Sequence, residues 1–270
     1  MNIALRPDTQ PVLRRDDAGI AYLILNRPEA RNVLSEATMQ ALTSELERIA
    51  SDSSARVVIL SAEGPAFCAG HDLKEMSAHR SEPDRGRAYF SDILERCSRL
   101  MEGIVRTPQP VIAAVEGVAT AAGCQLVASC DLAVAGAGAR FCTPGVHIGL
   151  FCSTPMVALS RNVSRKHAME MLLLGEMIGA EQAAGMGLVN RVVAPGEALV
   201  EATRMAGIIA QKSMVALKTG KRAFYDQIEL DLTSAYRHAA AVMVENMLAR
   251  DAEEGIGAFL EKRRPNWEDR

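Results

Sequence analysis

The sequence predicts a layered α/β fold closed by a C-terminal run of helices, and three observations carry that prediction. Short apolar, β-branched runs alternate with amphipathic stretches from Val12 to Leu132, the order expected of a sheet covered by helices. Two of those runs, at 57–60 and 111–115, lead through turns of small residues into helices. Around 206–220 the alternation stops and only helical periodicity remains. The chain therefore divides into a core, 1–207, and a helical region, 208–270.

Each element has its own signal. Residues 12–25 alternate apolar and polar around Asp16-Asp17-Ala18-Gly19, a hairpin signature. Residues 35–52 place Met39, Leu42, Leu46 and Ile49 at helical spacing behind Ser35, an N-cap candidate. The run VVIL at 57–60 predicts a buried strand. SAEGPAFCAGHDLKEM at 61–76 then turns through Gly64, Pro65 and Gly70 and restarts as a helix near Asp72, itself a cap residue. The segment SAHRSEPDRG at 77–86 is charged and Pro-interrupted, a surface loop that serves as a lid or stays passively solvated. A helix at 87–105 and a strand at 111 follow.

The stretch VEGVATAAGCQLVASCD at 115–131 is the centre of the chain. Side chains there are nearly absent, so backbone can approach a ligand closely. A helix starting near Gly123 exposes free N–H groups that attract negative charge. A tightly packed core helix is the plainer reading of this stretch alone, but the turn at 61–76 repeats the design. Two converging backbone donors are what an oxyanion hole needs to stabilise charge on a carbonyl oxygen. A strand follows at Leu132. From Met156 the chain reads as helices, apart from a strand at 189–193 and ending in helices at 214–230, 232–248 and 253–264.

Composition excludes several classes. The chain has 270 residues, 49% of them hydrophobic, enough for a sizeable core. A net charge of −3 gives no electrostatic footprint for nucleic acid. The start MNIALRPDTQP has no secretory or transit pattern, and the least polar run, 117–130, is shorter than the roughly 20 residues of a membrane span. A cytoplasmic protein with no membrane partner is the expectation. Cys68, Cys97, Cys124, Cys130, Cys142 and Cys152 form no CxxC pair and read as reduced core residues, with no metal site. The GAGARF segment at 136–141 opens no convincing helix, and neither G-x-S-x-G nor a P-loop occurs.

Four segments in one order, LNRPEARNVLS at 25–35, AFCAGHDLKEM at 66–76, AAVEGVATAAGCQLVASCDLAVA at 113–135 and EEGIGAFLEKRRPNW at 253–267, resemble the crotonase (enoyl-CoA hydratase/isomerase) superfamily. GHDL, ATAAGCQ and the TPGV to GLFCSTP region are similar to one hydratase-like branch of it. The resemblance implies a spiral of ββα units and a C-terminal helical trimerisation region, often doubled to a hexamer. It implies an acyl-CoA of fatty acid metabolism as the small-molecule substrate, with no cofactor besides that CoA thioester. By position in the motifs, Ala69 and Ala122 correspond to the backbone oxyanion donors. Arg31, the loop Cys68, Ala69, Gly70, His71 and Asp72, and Phe259 and Lys262 of a neighbouring subunit correspond to CoA contacts.

The departures are as informative. Hydration in this superfamily uses two carboxylates, but the matching positions are Gln125 and Gly145, and neither exchanges a proton at neutral pH. Each acid or base group contributes typically 10²- to 10⁴-fold, so ordinary hydratase activity is expected to be weak. His71 is a substitute base or else a hydrogen-bonded pocket residue. His147 reads as structural, and Cys142, Cys152 and Ser153 have no base at recognisable spacing. Three readings stay open: a hydratase or isomerase of low activity, a family enzyme of different chemistry such as isomerisation, decarboxylation or C–C hydrolysis, and a non-catalytic acyl-CoA binding protein.

Overall fold

The computed structural model describes residues 10–270. Strands β1 (Val12–Asp17) and β2 (Ile20–Leu25) form the expected antiparallel hairpin, with Val12 opposite Leu25. Ala18 and Gly19 form its turn at φ 48° and 79°, the left-handed pair that suits the right-handed twist of the strands. Helix α1 (Glu36–Ala50) begins at Ser35, whose hydroxyl accepts the Thr38 N–H, and it buries Met39, Leu42, Leu46 and Ile49.

From there the chain repeats one unit: a strand of one sheet, a short strand of a second sheet, then helix. The first unit is β3 (Val57–Ala62), β4 (Ala66–Cys68), α2 (Leu73–Ala78) and α3 (Arg87–Arg106). The second is β5 (Val111–Val115), β6 (Val118–Thr120) and α4 (Ala122–Ser129). The third is β7 (Leu132–Gly136), β8 (Arg140–Cys142), α5 (Pro155–Asn162) and α6 (Arg165–Leu174). Then come β9 (Ile178–Gly179), α7 (Ala180–Met186), β10 (Arg191–Val193) and α8 (Ala198–Ala210). The sheets run β1-β2-β3-β5-β7-β10 and β4-β6-β8-β9, so each unit lies beside the last and the chain winds as a spiral. Pairing is parallel from β2 to β10. The second sheet is invisible in the sequence because AFC, VAT and RFC are too short to show a period.

Helix α8 lays Ala198, Ala202, Met205 and Ala206 against Val57, Ile59, Ile112 and Val134 on one face of the first sheet. It therefore runs across the expected division at 207/208. The other face packs on α1, α3 and α4 in the larger core. Helices α9 (Met214–Gln227), α10 (Leu232–Leu248) and α11 (Arg250–Leu260) bury only Met214, Asp251 and Ala258 within the subunit. Leu232, Tyr236, Leu248, Phe259 and Leu260 there are between 73% and 81% exposed.

Candidate functional site

The turns after β4 and β6 are brought together because those strands are parallel neighbours. A side-chain carbon on Gly70, at φ +87°, would lie 3.1 Å from the Ala121 methyl and 3.5 Å from the Ala122 nitrogen. One on Gly123 would lie 2.1 Å from the Cys68 carbonyl oxygen. Glycine at 123 is what lets α4 abut β4.

Backbone bonding decides which donors are free. The Ala69 N–H donates to the Arg31 carbonyl at 3.0 Å, so the expected first donor is already occupied. The Leu34 N–H donates to the Gly70 carbonyl at 2.8 Å. Since C=O and N–H of one trans peptide point in opposite directions, the His71 N–H is aimed away from Leu34. At the second turn the Ala121 N–H donates to the Cys142 carbonyl at 2.9 Å, and Gln125 is the first residue to bond back to Ala121, at 3.0 Å. Helix α4 has no side-chain cap, which leaves the N–H groups of Ala122, Gly123 and Cys124 without intrahelical partners. Strain at the turn falls on Ala121 (φ 49°, ψ −117°) and not on Ala122, which is helical. Ala121→Gly is expected to relieve it and raise stability by about 1 kcal/mol, read as a higher Tm with unchanged ligand affinity.

Gln125 is buried, 4% exposed, and its carboxamide oxygen has no hydrogen-bond partner among the described residues. Gly145 is buried beneath the loop 149–152. A Cβ there would lie 2.9 Å from the Cys152 Sγ and 2.9 Å from the Leu150 carbonyl oxygen. Both ring nitrogens of His71 are sealed from solvent and have no hydrogen-bond partner among the described residues. Burial lowers its pKa. The imidazole is therefore neutral in the fold and a poor candidate for storing a proton. An unfolded His71 binds protons that the folded one refuses, so stability falls as pH drops through the ordinary value of 6.5. His71→Asn is expected to flatten the decline in Tm between pH 7.5 and 5.5.

Burial pushes the Cys68 thiol up to about 12 and Cys142 up to about 11, and it raises Cys124 and Cys152 as well. All four are inert thiols at neutral pH. Asp72 acts as the α2 cap, accepting from Lys74 N–H at 2.9 Å and Glu75 N–H at 3.2 Å. Arg31 is exposed at φ 52°. Phe259 is 81% exposed at the end of α11, which packs on α9 and α10, and Lys262 follows at φ 55°. The segment expected to be a loop at 77–86 instead begins within α2 and continues as a 3-10 turn at His79–Ser81, where His79 stacks on Tyr89 with ring centres 3.5 Å apart and bonds Glu82 at 2.6 Å. Sequence reasoning missed Asp131, Lys221 and Tyr225, which meet at the far end of α4. Only the Asp131 that closes the small-residue stretch hinted at them. Among the described residues no group of three or more His, Cys, Asp or Glu could hold a metal ion.

Residues 15–270 match the family described as enoyl-CoA hydratase/isomerase. The chain belongs to that family. This enoyl-CoA hydratase/isomerase-family protein is 46% identical over 263 residues to rat enoyl-CoA hydratase domain-containing protein 3, mitochondrial, covering 97% of this chain and 86% of the relative. A crystal structure of the human protein of the same name superposes at TM-score 0.90 with 47% identity, covering 95% of this chain and 100% of that one. An enoyl-CoA hydratase structure from Mycobacterium smegmatis superposes at TM-score 0.91 with 54% identity, covering 95% and 98%. The branch indicated by GHDL, ATAAGCQ and TPGV is thus the one the rat and human relatives represent, and the spiral architecture is the family's fold. The cytoplasmic expectation is corrected, because the rat and human relatives are named as mitochondrial proteins. Core composition and fold do not encode a cellular address, which a separate segment carries.

Proposed function

We propose that this chain binds an acyl-CoA thioester and polarises its carbonyl between the N–H groups of His71 and Ala122. The observation that carries the reading is the peptide after Gly70, whose carbonyl faces Leu34, so its N–H faces the other way at a turn lying against the uncapped start of α4. Two fixed backbone donors at a helix N-terminus suit an oxygen that gains negative charge. On this reading His71 replaces Ala69 as first donor, and Ala69 serves by holding the turn to Arg31.

Arg31 and the 68–72 loop take the CoA end of the ligand, and Phe259 and Lys262 reach it from a neighbouring copy. A cation suits the phosphates and an aromatic ring the adenine. The exposed apolar faces of α9, α10 and α11 support assembly of the 208–270 region into a trimer or a hexamer. With Gln125 and Gly145 in place of carboxylates and His71 neutral, the site supports binding and carbonyl polarisation far better than proton transfer. That balance also favours the second reading, a binding protein without turnover.

Calorimetry tests the first step. Butyryl-CoA is expected to bind at least about tenfold more tightly than CoA, one good hydrogen-bonding contribution of about 1.4 kcal/mol. Lys262→Ala is expected to weaken both ligands alike. Equal affinities for CoA and butyryl-CoA in the wild type would remove the oxyanion reading.

A further inference from the structure

Helix α4, eight residues and so about 12 Å long at 1.5 Å per residue, carries the Ala122 N–H at its start, and Asp131 follows just beyond its end. The Asp131 carboxylate is the hub of a closed set of bonds. Its Oδ2 accepts the Val111 N–H at 2.7 Å and the Lys221 ammonium at 2.7 Å, and its Oδ1 accepts the Tyr225 hydroxyl at 2.9 Å. Lys221 Nζ donates its other two protons to the carbonyls of Ile104 at 3.1 Å and Gln109 at 3.0 Å. All three ammonium donors are therefore used, and the Lys221 side chain is only 7% exposed.

Such a buried pair is weak evidence for stability, because desolvation offsets most of the attraction. Its consequence here is geometric. Helix α9, which supplies Lys221 and Tyr225, has Met214 as its one fully buried residue, and these bonds tie its middle to the interior. They hold the C-terminal end of α4, all eight of whose residues are buried. Asp131 follows the last residue of α4 by two positions, and close-packed interiors transmit strain, so a displacement at Asp131 bears on α4 and on Ala122 at its start.

We propose that Lys221 and Tyr225 are positioning residues for the oxyanion helix: by holding Asp131 they set where the Ala122 N–H points, and they tie carbonyl polarisation to the seating of the C-terminal helices. This inference rests on the oxyanion reading above.

The test uses the full-length chain, Lys221→Met and Tyr225→Phe, with butyryl-CoA carrying a ¹³C-labelled thioester carbonyl as probe. The carbonyl stretching frequency of the bound probe, the affinities for CoA and butyryl-CoA, and Tm are measured for each protein. In the wild type the stretch is expected to fall on binding. In Lys221→Met it is expected to return towards the solution value, with the preference for butyryl-CoA over CoA reduced about tenfold and CoA affinity unchanged. Tyr225→Phe is expected to move both in the same direction by less. A lower Tm with wild-type frequency and preference would overturn the proposal and leave a purely structural knot. If Lys221→Met does not fold, an unchanged frequency and preference in Tyr225→Phe overturns it. A wild type with no frequency shift would remove the oxyanion reading itself, a failure visible before any variant is compared.

Discussion

Gly123→Ala is expected to cost this protein its thioester preference and much of its stability together. The added methyl carbon would sit 2.1 Å from the Cys68 carbonyl oxygen and 2.8 Å from its carbonyl carbon. Those are backbone atoms of β4, so no rotamer change can relieve the overlap. Overpacking costs about 1–3 kcal/mol where neighbours can yield, and a backbone neighbour places this substitution at or above the upper end. At about 2–4 °C per kcal/mol, Tm should fall by about 10 °C. The remaining folded protein must separate α4 from β4, which pulls the Ala122 N–H away from the His71 N–H. Affinity for butyryl-CoA should then approach that for CoA, while Gly185→Ala, on a helix with open space at that position, should leave both unchanged. A Gly123→Ala protein with wild-type Tm and preference would show that the turns need not touch.

The second large effect is kinetic. Purified protein, freed of host hydratase, is expected to hydrate crotonyl-CoA about 10²- to 10⁴-fold below the roughly 10 s⁻¹ of a median enzyme. Neither Gln125 nor Gly145 can move a proton, and burial keeps His71 neutral. Gln125→Glu alone is expected to recover little, because a buried carboxyl has its pKa raised and lacks its partner group. Gly145→Glu is expected to lower Tm instead of restoring rate: Cys152 Sγ and the Leu150 carbonyl oxygen occupy the space at 2.9 Å. Clearing the thiol with Cys152→Gly would still leave the carbonyl, so the second carboxylate returns only if the loop at 149–152 moves. Rapid wild-type hydration of crotonyl-CoA would sink this account, because some other group would then be serving as base.

Much of the architecture was written locally. The hairpin turn at Ala18-Gly19, the Ser35 and Asp72 caps and the apolar stripe of α1 each depend on residues within a few positions of one another, and the sequence determined them. It also determined the family, through four motifs in order, and it shows Gln125 and Gly145 directly, because those are identities and not geometries.

What it could not determine depends on distant parts meeting. Strands of three residues have no period to detect, so the second sheet appears only when β4, β6 and β8 pair across the spiral. That the Ala69 N–H is taken up by the Arg31 carbonyl while the Gly70 carbonyl accepts from Leu34 is a pairing no single stretch contains. The filling of the space at Gly145 by Cys152 follows from a loop fold. Asp131, Lys221 and Tyr225 are 90 and 94 residues apart in sequence. Charge on Lys221 reads as ordinary helix surface until α9 docks, because a hydrogen bond is specified by direction and distance, and those are properties of the assembled chain.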